Sequence, residues 1–482
     1  RPAAMLPWAI LLAAAAAAAS AAGAEAPQHW WPKARGRLGK VGHTDSPGPK
    51  NLTAQFAWYW EHPEKAVVTG ALIDSDRNVY VSHLTGITKL SPKGAVIWYY
   101  PHLINNVVPV IEGNFIYGAS LDGTLYALDL AQGRPVWMQK LGGQLEMDTP
   151  YVEVNDGVVI TICERLPDKD NGAPGNRHVF AVNATNGNKL WDHLNDNVLW
   201  NFQPLFPNDG TFFVMDIHGG VHRYSVHEGY QKVVPPPNQE MLKYSFTDGG
   251  MTLSPDADIL YTCSNFFMGG TGTPGVLRAY RVDSVELLWQ RFLPEPCVSW
   301  PASNGREVVV PVGALPQSMP FYFNIKWLPV EVKIFTSFVA NLLDRRQWLI
   351  FRNKAQPMSV HAFDPVTGEN RWTYSGIEPW PRLASRSDEE LLWERIFRGH
   401  HARPVCGPAS WSAPTIGGDG TTYAAGMDGV LYGIRDADAD GVISPDEVTQ
   451  FDIGAASLHG GAAFAPGLMT HATCVGVWAF HT

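Results

Sequence analysis

The chain is short of positive charge. Its 482 residues include 36 lysines and arginines against 46 aspartates and glutamates, which gives a formal net charge of −10. Nucleic acids are bound through basic side chains that neutralise phosphates, and no stripe of lysine or arginine runs along this sequence. We therefore expect no nucleic acid among the partners of this protein.

Cysteine is scarce as well. The chain has five cysteines, and they include no adjacent pair and no C-x-x-C motif. This distribution excludes the closely spaced cysteine pairs that hold zinc or carry dithiol chemistry.

Long apolar runs are missing, with one exception close to the start. Residues 6–19 are apolar, and Ala22-Gly23-Ala24 fits the small-residue cleavage site of a secretory signal. We interpret residues 1–24 as a signal peptide and 25–53 as an N-terminal linker, which predicts a secretory-pathway protein, extracellular or lumenal. A membrane anchor is the alternative, but the run is short for a span and no basic flank follows it. We expect no transmembrane span in the mature chain.

What the sequence does contain is a recurring turn. In each copy an alanine precedes a tryptophan by ten residues, and most copies have a glycine four residues before the tryptophan. The copies are Ala127…Gly133…Trp137, Ala181…Gly187…Trp191, Ala362…Gly368…Trp372, the weaker Ala279…Trp289, and Thr88…Gly94…Trp98 with threonine at the alanine position. A fixed internal spacing indicates a repeat architecture.

Each copy closes a set of short apolar strands. In residues 108–137, four such strands alternate with turns at Gly113-Asn114, Asp122-Gly123 and Gly133, and asparagine and glycine suit such turns. Four antiparallel strands in about 40 residues are typical of a propeller blade. We predict an all-β, eight-bladed β-propeller of four-stranded antiparallel blades over residues 54–482. Seven blades are the alternative, and a β-sandwich with coincidental tryptophans is the competing fold. The blades are expected near 68–100, 107–141, 149–194, 203–235, 250–293, 306–376 and 413–455, and at the joined termini.

The two termini are predicted to share the last blade. The orphan strand 54–60 ends in Trp60, and residues 461–480 supply only two or three strands. Trp60 is therefore expected on the outer strand of the C-terminal blade, where it would remove an exposed sheet edge. Deleting residues 25–62 should then destabilise the ring, whereas deleting 25–48 should be nearly neutral.

The repeat also suggests a disulfide. Cys297 and Cys406 both lie at the entrance of neighbouring blades, and we predict that they pair. Cys163, Cys263 and Cys474 fall within apolar strands and are expected to be buried thiols.

One blade turn contains a calcium-binding motif. Residues 436–447 match the twelve-residue EF-hand loop, in which alternate oxygen ligands, a glycine at the sharp turn and a final glutamate surround calcium. The predicted ligands are Asp436, Asp438, Asp440, the Val442 carbonyl, Ser444 and Glu447. Gly433 aligns with the repeat alanine and Phe451 with the tryptophan, so the loop expands one blade turn. A solvated acidic turn is the alternative. Because the loop has no partner hand, we predict a structural role.

The Ala-x-Asp-x-x-x-Gly-x-x-x-Trp turn resembles the repeat of the pyrroloquinoline-quinone family of β-propellers. That family includes quinoprotein alcohol dehydrogenases and non-enzymatic relatives such as the bacterial outer-membrane assembly lipoprotein. The resemblance covers most of residues 54–480 and implies the eight-bladed fold. The dehydrogenases carry an adjacent-cysteine disulfide over the quinone, which this chain lacks. They also use an acidic residue, an asparagine and an aspartate near the axis, and these roles are not assigned to positions here.

The loops that enter the inner strands should surround one mouth of the central channel, which is the active face of the resembled enzymes. They contain Asn105, Asn106, Glu146, Asp148, Trp200, Asn201, Asp248, Trp300, Trp411 and His459. Of these, we take Glu146, Asp148, Trp200, Asn201, Asp248, Trp300 and Trp411 as candidate contacts for a cofactor or a small polar ligand. Ordinary polar loops and packed tryptophans are the alternative. Two insertions near 314–356 and 376–410 are predicted to be partly helical.

Two functions fit this pattern. The first is a secreted or lumenal calcium-binding propeller that acts as a scaffold for a protein or a small polar ligand. The alternative is a quinone-dependent oxidoreductase of alcohols or sugars with its site at the channel mouth. The missing cysteine pair and the unassigned ligand set favour the scaffold, so a catalytic role is the weaker hypothesis.

Overall fold

The computed structural model describes residues 28–36, 42–63, 70–101, 107–120, 122–142, 151–163, 176–237, 247–265, 274–313, 332, 357–380, 385–387, 410–457 and 460–482. The predicted signal peptide and most of both predicted insertions lie outside these ranges. Among the described residues, no helix is long and apolar enough to cross a membrane.

The described chain forms an all-β ring of eight antiparallel sheets, which confirms the predicted propeller. In order, blade 1 has β2 (Leu72–Ile73), β3 (Val79–His83), β4 (Gly86–Leu90) and β5 (Val96–Pro101); blade 2 has β6 (Val110–Glu112), β7 (Phe115–Ala119), β8 (Thr124–Asp129) and β9 (Pro135–Lys140); blade 3 has β10 (Glu153–Asn155), β11 (Val158–Cys163), β12 (His178–Asn183) and β13 (Lys189–Leu194); blade 4 has β14 (Thr211–Met215), β15 (Val221–Ser225) and β16 (Gly229–Val234).

The second half of the ring repeats this order. Blade 5 has β17 (Met251–Leu253), β18 (Ile259–Asn265), β19 (Gly275–Arg281) and β20 (Leu287–Leu293); blade 6 has β21 (Ala302–Ser303), β22 (Val308–Gly313), β23 (Met358–Phe363) and β24 (Asn370–Tyr374); blade 7 has β25 (Thr415–Ile416), β26 (Thr422–Ala425), β27 (Val430–Ile434) and β28 (Val448–Asp452); blade 8 has β29 (Ala463–Ala465), β30 (Leu468–Ala472), β31 (Gly476–Phe480) and β1 (Phe56–Glu61). A short 3-10 helix, Pro445–Glu447, precedes β28.

The termini close the ring as predicted. β1 pairs antiparallel with β31 and becomes the outermost strand of blade 8. Trp60 lies on this outer strand as predicted, but the tryptophan in the repeat position is Trp58, and not Trp60 as the spacing predicted. Trp58 lies against Gly94 of blade 1 and donates its indole N–H to the Pro92 carbonyl at 2.9 Å.

The ten-residue spacing of the repeat is a strand-pairing register. Alanine and tryptophan face each other across the two outer strands in Ala127–Trp137, Ala181–Trp191, Ala279–Trp289 and Ala362–Trp372. Two predicted alignments were wrong. Lys89, not Thr88, is opposite Trp98, because the turn of blade 1 is one residue shorter. Gly433 is opposite Thr449, and Phe451 pairs with Leu431.

The glycine of the motif receives the tryptophan of the preceding blade. The ring and glycine pairs are Trp58–Gly94, Trp98–Gly133, Trp137–Gly187, Trp191–Gly229 and Trp289–Gly368. In these pairs a Cβ on the glycine would come within 2.6 to 3.4 Å of the ring, and every one of the glycines has a positive φ. Each indole N–H also donates to a carbonyl in the same turn. The motif therefore joins successive blades and needs no ligand to explain it.

The predicted Cys297–Cys406 disulfide was wrong in its pairing. Cys297 is bonded to Cys263, which lies on β18 in the blade before it. Cys474 is also disulfide-bonded, so the expectation of buried thiols is met by Cys163 alone among these cysteines. The pairing was missed because the sequence does not show how closely Gly249 and Gly275 approach Cys297. A Cβ on either glycine would lie 3.0 Å from the Cys297 side chain.

Candidate functional site

The N-terminal segment occupies the central channel. Residues 28–36 and 42–50, which we call the axial segment, lie within the stretch predicted as a linker. Backbone hydrogen bonds join Trp31 to Ile73, Pro32 to Ile111, and Gly42 and Thr44 to Ile416, which are inner-strand residues of blades 1, 2 and 7. Two further backbone bonds between Lys33 and Gly36 form a tight turn. The axial segment is thus paired to the inner wall of the propeller.

Two cations of the axial segment reach other blades. Lys33 forms an ion pair with Glu153 of blade 3 at 3.0 Å and donates to the Val154 carbonyl at 2.8 Å. Arg35 donates to the carbonyls of Met251 in blade 5 and Pro301 at the entrance of blade 6. Both cations are almost fully buried. Burial lowers the pKa of Lys33 to about 8 and that of Arg35 to about 10.

Apolar residues close the channel at the level where the inner strands begin. Ala34 packs with Val108, Tyr151, Trp300 and Ala413, which belong to four different blades. Tyr151 of blade 3 and Trp300 of blade 6 meet edge to face, with ring centroids 5.7 Å apart. The described residues of this region form a packed core and not an open pore.

The predicted mouth residues divide into three groups. Asn105, Asn106, Glu146, Asp148 and His459 lie outside the described residues. Trp300 and Trp411 are buried, and the Trp411 indole donates to the Val312 carbonyl of the neighbouring blade, so both pack between blades. Trp200, Asn201 and Asp248 do come together, because the Trp200 indole and the Asn201 amide both donate to the same Asp248 oxygen, at 2.9 and 3.0 Å.

A small polar cavity lies beside this cluster. It is lined by Trp200, Asn201, Gln203, Met215, Gly249, Gly250, Met251 and Trp300, and its volume of about 10 Å³ holds about one water molecule. Gln203 is buried, and neither its amide nitrogen nor its amide oxygen has a hydrogen-bond partner. Sequence reasoning missed Gln203, Lys33 and Arg35 because none of them belongs to the repeat.

The described residues do not fit a bound pyrroloquinoline quinone on the axis. A planar tricyclic quinone needs far more room than the cavity of one water molecule, and Ala34 with Tyr151 and Trp300 forms a packed core at the centre of the described ring. The cations on the axis are already bonded to Glu153 and to backbone carbonyls. We therefore derive no chemistry through a quinone.

The calcium motif forms a compact loop between β27 and β28. Carboxylate oxygens of Asp436, Asp438 and Asp440 lie within 4.8 Å of one another, and among the described residues they form the one such group of three metal-binding side chains. Gly441 has φ +82° and donates its N–H to Asp436 Oδ2 at 3.1 Å. The other Asp436 oxygen is buried and has no hydrogen-bond partner within the part of the chain that the structure describes. Hard carboxylate oxygens in this arrangement fit calcium.

The remaining predicted ligands hold the loop together. Glu447 accepts the backbone N–H of Ser444 at 2.9 Å and that of Ala437, so its carboxylate links the two ends of the loop. These N–H donors lower the pKa of Glu447, because they favour the ionised carboxylate. Ser444 also donates its hydroxyl to Glu447 at 2.9 Å, and Val442 donates its N–H to Asp440 at 2.7 Å.

Residues 85–312 match the sequence family described as outer membrane protein assembly factor BamB. This segment runs from blade 1 into blade 6. No curated protein sequence matches the chain.

Solved structures share the fold at low sequence identity. BamB from Moraxella catarrhalis superposes with a TM-score of 0.56 at 14% identity, over 88% of this chain and 99% of that one. The quinohemoprotein alcohol dehydrogenase from Comamonas testosteroni gives 0.63 at 12%, over 97% and 84% of the two chains. The quinohemoprotein alcohol dehydrogenase ADHIIG from Pseudomonas putida HK5 gives 0.60 at 10%, over 95% and 80%. At such identities the likeness establishes the fold alone.

Proposed function

We propose, from the premise that this chain is a β-propeller of pyrroloquinoline-quinone-type repeats, that it is a calcium-binding scaffold for a protein partner. The fold does not decide between binding and catalysis, because functional sites vary independently of the fold that carries them. The observation that carries the proposal is the filled channel. With Ala34, Tyr151 and Trp300 packed on the axis, the surfaces left for a partner are the outer ones.

The outer strands supply a suitable surface. The residue directly before each tryptophan is apolar and exposed in blades 1, 2, 3 and 5, and we call this set the rim stripe: Ile97 (49% exposed), Val136 (51%), Leu190 (47%) and Leu288 (39%). Each lies on the last strand of its sheet. Exposed apolar side chains on unpaired strand edges favour association with another protein. The family that residues 85–312 match is named for an assembly factor, which supports the same role.

A secretory or lumenal location belongs to the proposal. The Cys263–Cys297 disulfide supports it, because such bonds persist mainly in oxidising compartments. The signal peptide predicted for residues 1–24 is consistent with the same compartment.

Calcium binding is tested by calorimetric titration of the chelator-treated protein, with the melting temperature as a second readout. We expect binding of one calcium ion and a higher melting temperature. Glu447→Gln should weaken both, because the last ligand of the loop binds through two carboxylate oxygens. Asp446→Asn is the matched control, since it removes an adjacent carboxylate that is not at a ligand position. Absence of calcium binding to the wild-type protein would refute this part.

The scaffold role is tested by cross-linking in native extracts. Val136→Lys should abolish a cross-link to a specific partner, whereas Val366→Lys should leave it intact. Val366 is the control because it is also an exposed valine, 72% exposed, but lies on a turn of blade 6, four blades away from Val136 in blade 2. The enzymatic alternative is tested in parallel with pyrroloquinoline quinone and an alcohol in a dye-linked assay. Stoichiometric quinone binding with turnover would replace our proposal.

A further inference from the structure

The calcium loop lies at an interface that lacks the tryptophan contact found elsewhere in the ring. Five blade interfaces have a tryptophan ring over the turn glycine of the next blade. At the interface between blades 6 and 7 the corresponding tryptophan is Trp372, and its indole N–H donates at 3.0 Å to Glu307 of its own blade. The turn that would receive it in blade 7 has been replaced by residues 436–447.

The loop itself makes the contact across this interface. Val442 forms a parallel bridge with Thr373 of β24, the outer strand of blade 6. A Cβ on Gly441 would lie 2.8 Å from the Arg371 carbonyl, so the two backbones are in close contact. Ile443 packs against a core cluster shared by the two blades, which contains Trp372 of blade 6 and Ile434 of blade 7. Gly441 and Val442 thus contact the neighbouring blade directly, and Ile443 packs on the core between the two blades.

Gly441 and Val442 are held by the proposed calcium ligands. Gly441 donates to Asp436, and Val442 donates to Asp440, so the carboxylates that would bind calcium also fix the segment that contacts blade 6. We infer that calcium joins blade 6 to blade 7, in place of the tryptophan contact. The inference rests on the proposed calcium binding. Without the ion, repulsion among three close carboxylates opposes the ordered loop, and the interface should be weaker.

Hydrogen exchange measured by mass spectrometry, with and without calcium, tests this inference. We expect calcium to slow exchange at least fivefold in β24 and β28 as well as in the loop. β9 and β13 form the internal control, because their interface has the Trp137–Gly187 contact and should not respond. Protection confined to residues 436–447 would overturn the inference while leaving calcium binding intact.

One variant distinguishes calcium binding from the contact between blades 6 and 7. Ile443→Ala retains every proposed oxygen ligand but shortens the side chain that packs on the core shared by blades 6 and 7. Terbium luminescence should report metal binding within threefold of wild type, while the calcium-dependent protection of β24 is lost. Retained protection of β24 in this variant would contradict the role assigned to the 441–443 contact. Absence of metal binding to the wild-type protein would refute both the proposed function and this inference.

Discussion

At the scale of single residues, the repeat glycines perform two tasks at once. Gly187 adopts φ +74°, a conformation that side chains disfavour. A Cβ at this position would lie only 2.6 Å from the nearest atom of the Trp137 ring. Gly157 in the same blade has φ +72° but no atom within 4 Å of such a Cβ. The two positions therefore share the backbone requirement and differ in the contact with the preceding blade.

This pair gives a matched test. Gly187→Ala and Gly157→Ala should both destabilise the protein by about 1 kcal/mol because of the positive φ. Gly187→Ala should lose roughly 1–3 kcal/mol more, since the methyl group would displace the indole ring. Chemical denaturation measures both free energies of unfolding. Equal losses would show that the tryptophan does not depend on the glycine.

A buried histidine pair makes stability depend on pH. His62 and His83 lie between blades 8 and 1 with ring centroids 4.2 Å apart. Burial lowers the pKa of His62 to about 4 and that of His83 to about 3, the neighbouring His62 adding to the shift of His83. Because the folded protein resists protonation and the unfolded chain does not, this contribution is complete above the unfolded pKa of 6.5 and is lost as the pH falls below it.

We expect the free energy of unfolding to fall between pH 7 and pH 5, and each of the two histidines should contribute roughly 2 kcal/mol to that loss. His83→Gln should make the decline shallower, because one protonation in the unfolded chain is removed. Denaturant titrations at each pH measure the difference. An unchanged slope in the variant would assign the pH dependence to other groups.

At the scale of elements, the axial segment is the least expected part of the fold. It was predicted as a linker because it has neither repeat nor strand pattern, yet Trp31, Ala34 and Arg35 are buried and Lys33 is paired with Glu153. A buried ion pair is a poor source of net stability, but removing one partner leaves the other charge without compensation. The axial segment is therefore held in place because moving it would separate Lys33 from the buried Glu153 carboxylate.

Lys33→Met should destabilise the protein by about 3–5 kcal/mol, because Glu153 would keep a buried charge without its cation. Replacing both residues, Lys33→Met with Glu153→Leu, should recover much of this loss. Denaturant unfolding of the two variants measures the coupling between the sites. A double variant as unstable as the sum of both single ones would mean that the pair is not coupled.

At the scale of the whole molecule, the N-terminal region closes the ring at two places, one outside and one at the centre. β1 completes blade 8 at the outside, and the axial segment contacts inner strands across the ring at the centre. Loss of the outer closure exposes the edge of β31, whereas loss of the inner one leaves the sheets paired and the channel hollow. Loss of the outer closure and loss of the inner closure should therefore have different effects on the stability and aggregation of the protein.

Two truncations distinguish them. Deleting residues 1–50 should lower stability by several kcal/mol, because it removes the buried Trp31 and the Lys33 ion pair. This expectation replaces the nearly neutral effect that the sequence predicted for deleting residues 25–48. The product should remain monomeric. Deleting residues 1–62 should in addition cause aggregation, because an apolar sheet edge is exposed. Light scattering on the eluted proteins reports the difference, and two equally stable monomers would contradict both closures.

The sequence by itself determined the blades. The alanine-to-tryptophan spacing set the pairing of neighbouring strands, and the orphan strand at 56–61 set the closure, because hairpins are specified by local turns and by the alternation of side chains. The cluster of three aspartates at 436–440 was also readable, since these carboxylates lie within five consecutive residues, and calcium binding by the loop stays a prediction. These features depend on residues close in sequence, and their spacing repeats.

Only the tertiary structure decided what fills the channel. Lys33 bonds to a residue 121 positions away, and Arg35 to residues 216 and 266 positions away, and no periodic pattern marks such contacts. The same reason explains why Cys297 pairs with Cys263 and not with Cys406, and why Trp58 and not Trp60 occupies the repeat position. Contacts between distant segments depend on how the closed ring brings loops together, so the packing of the axial segment in the channel could not be read from any motif.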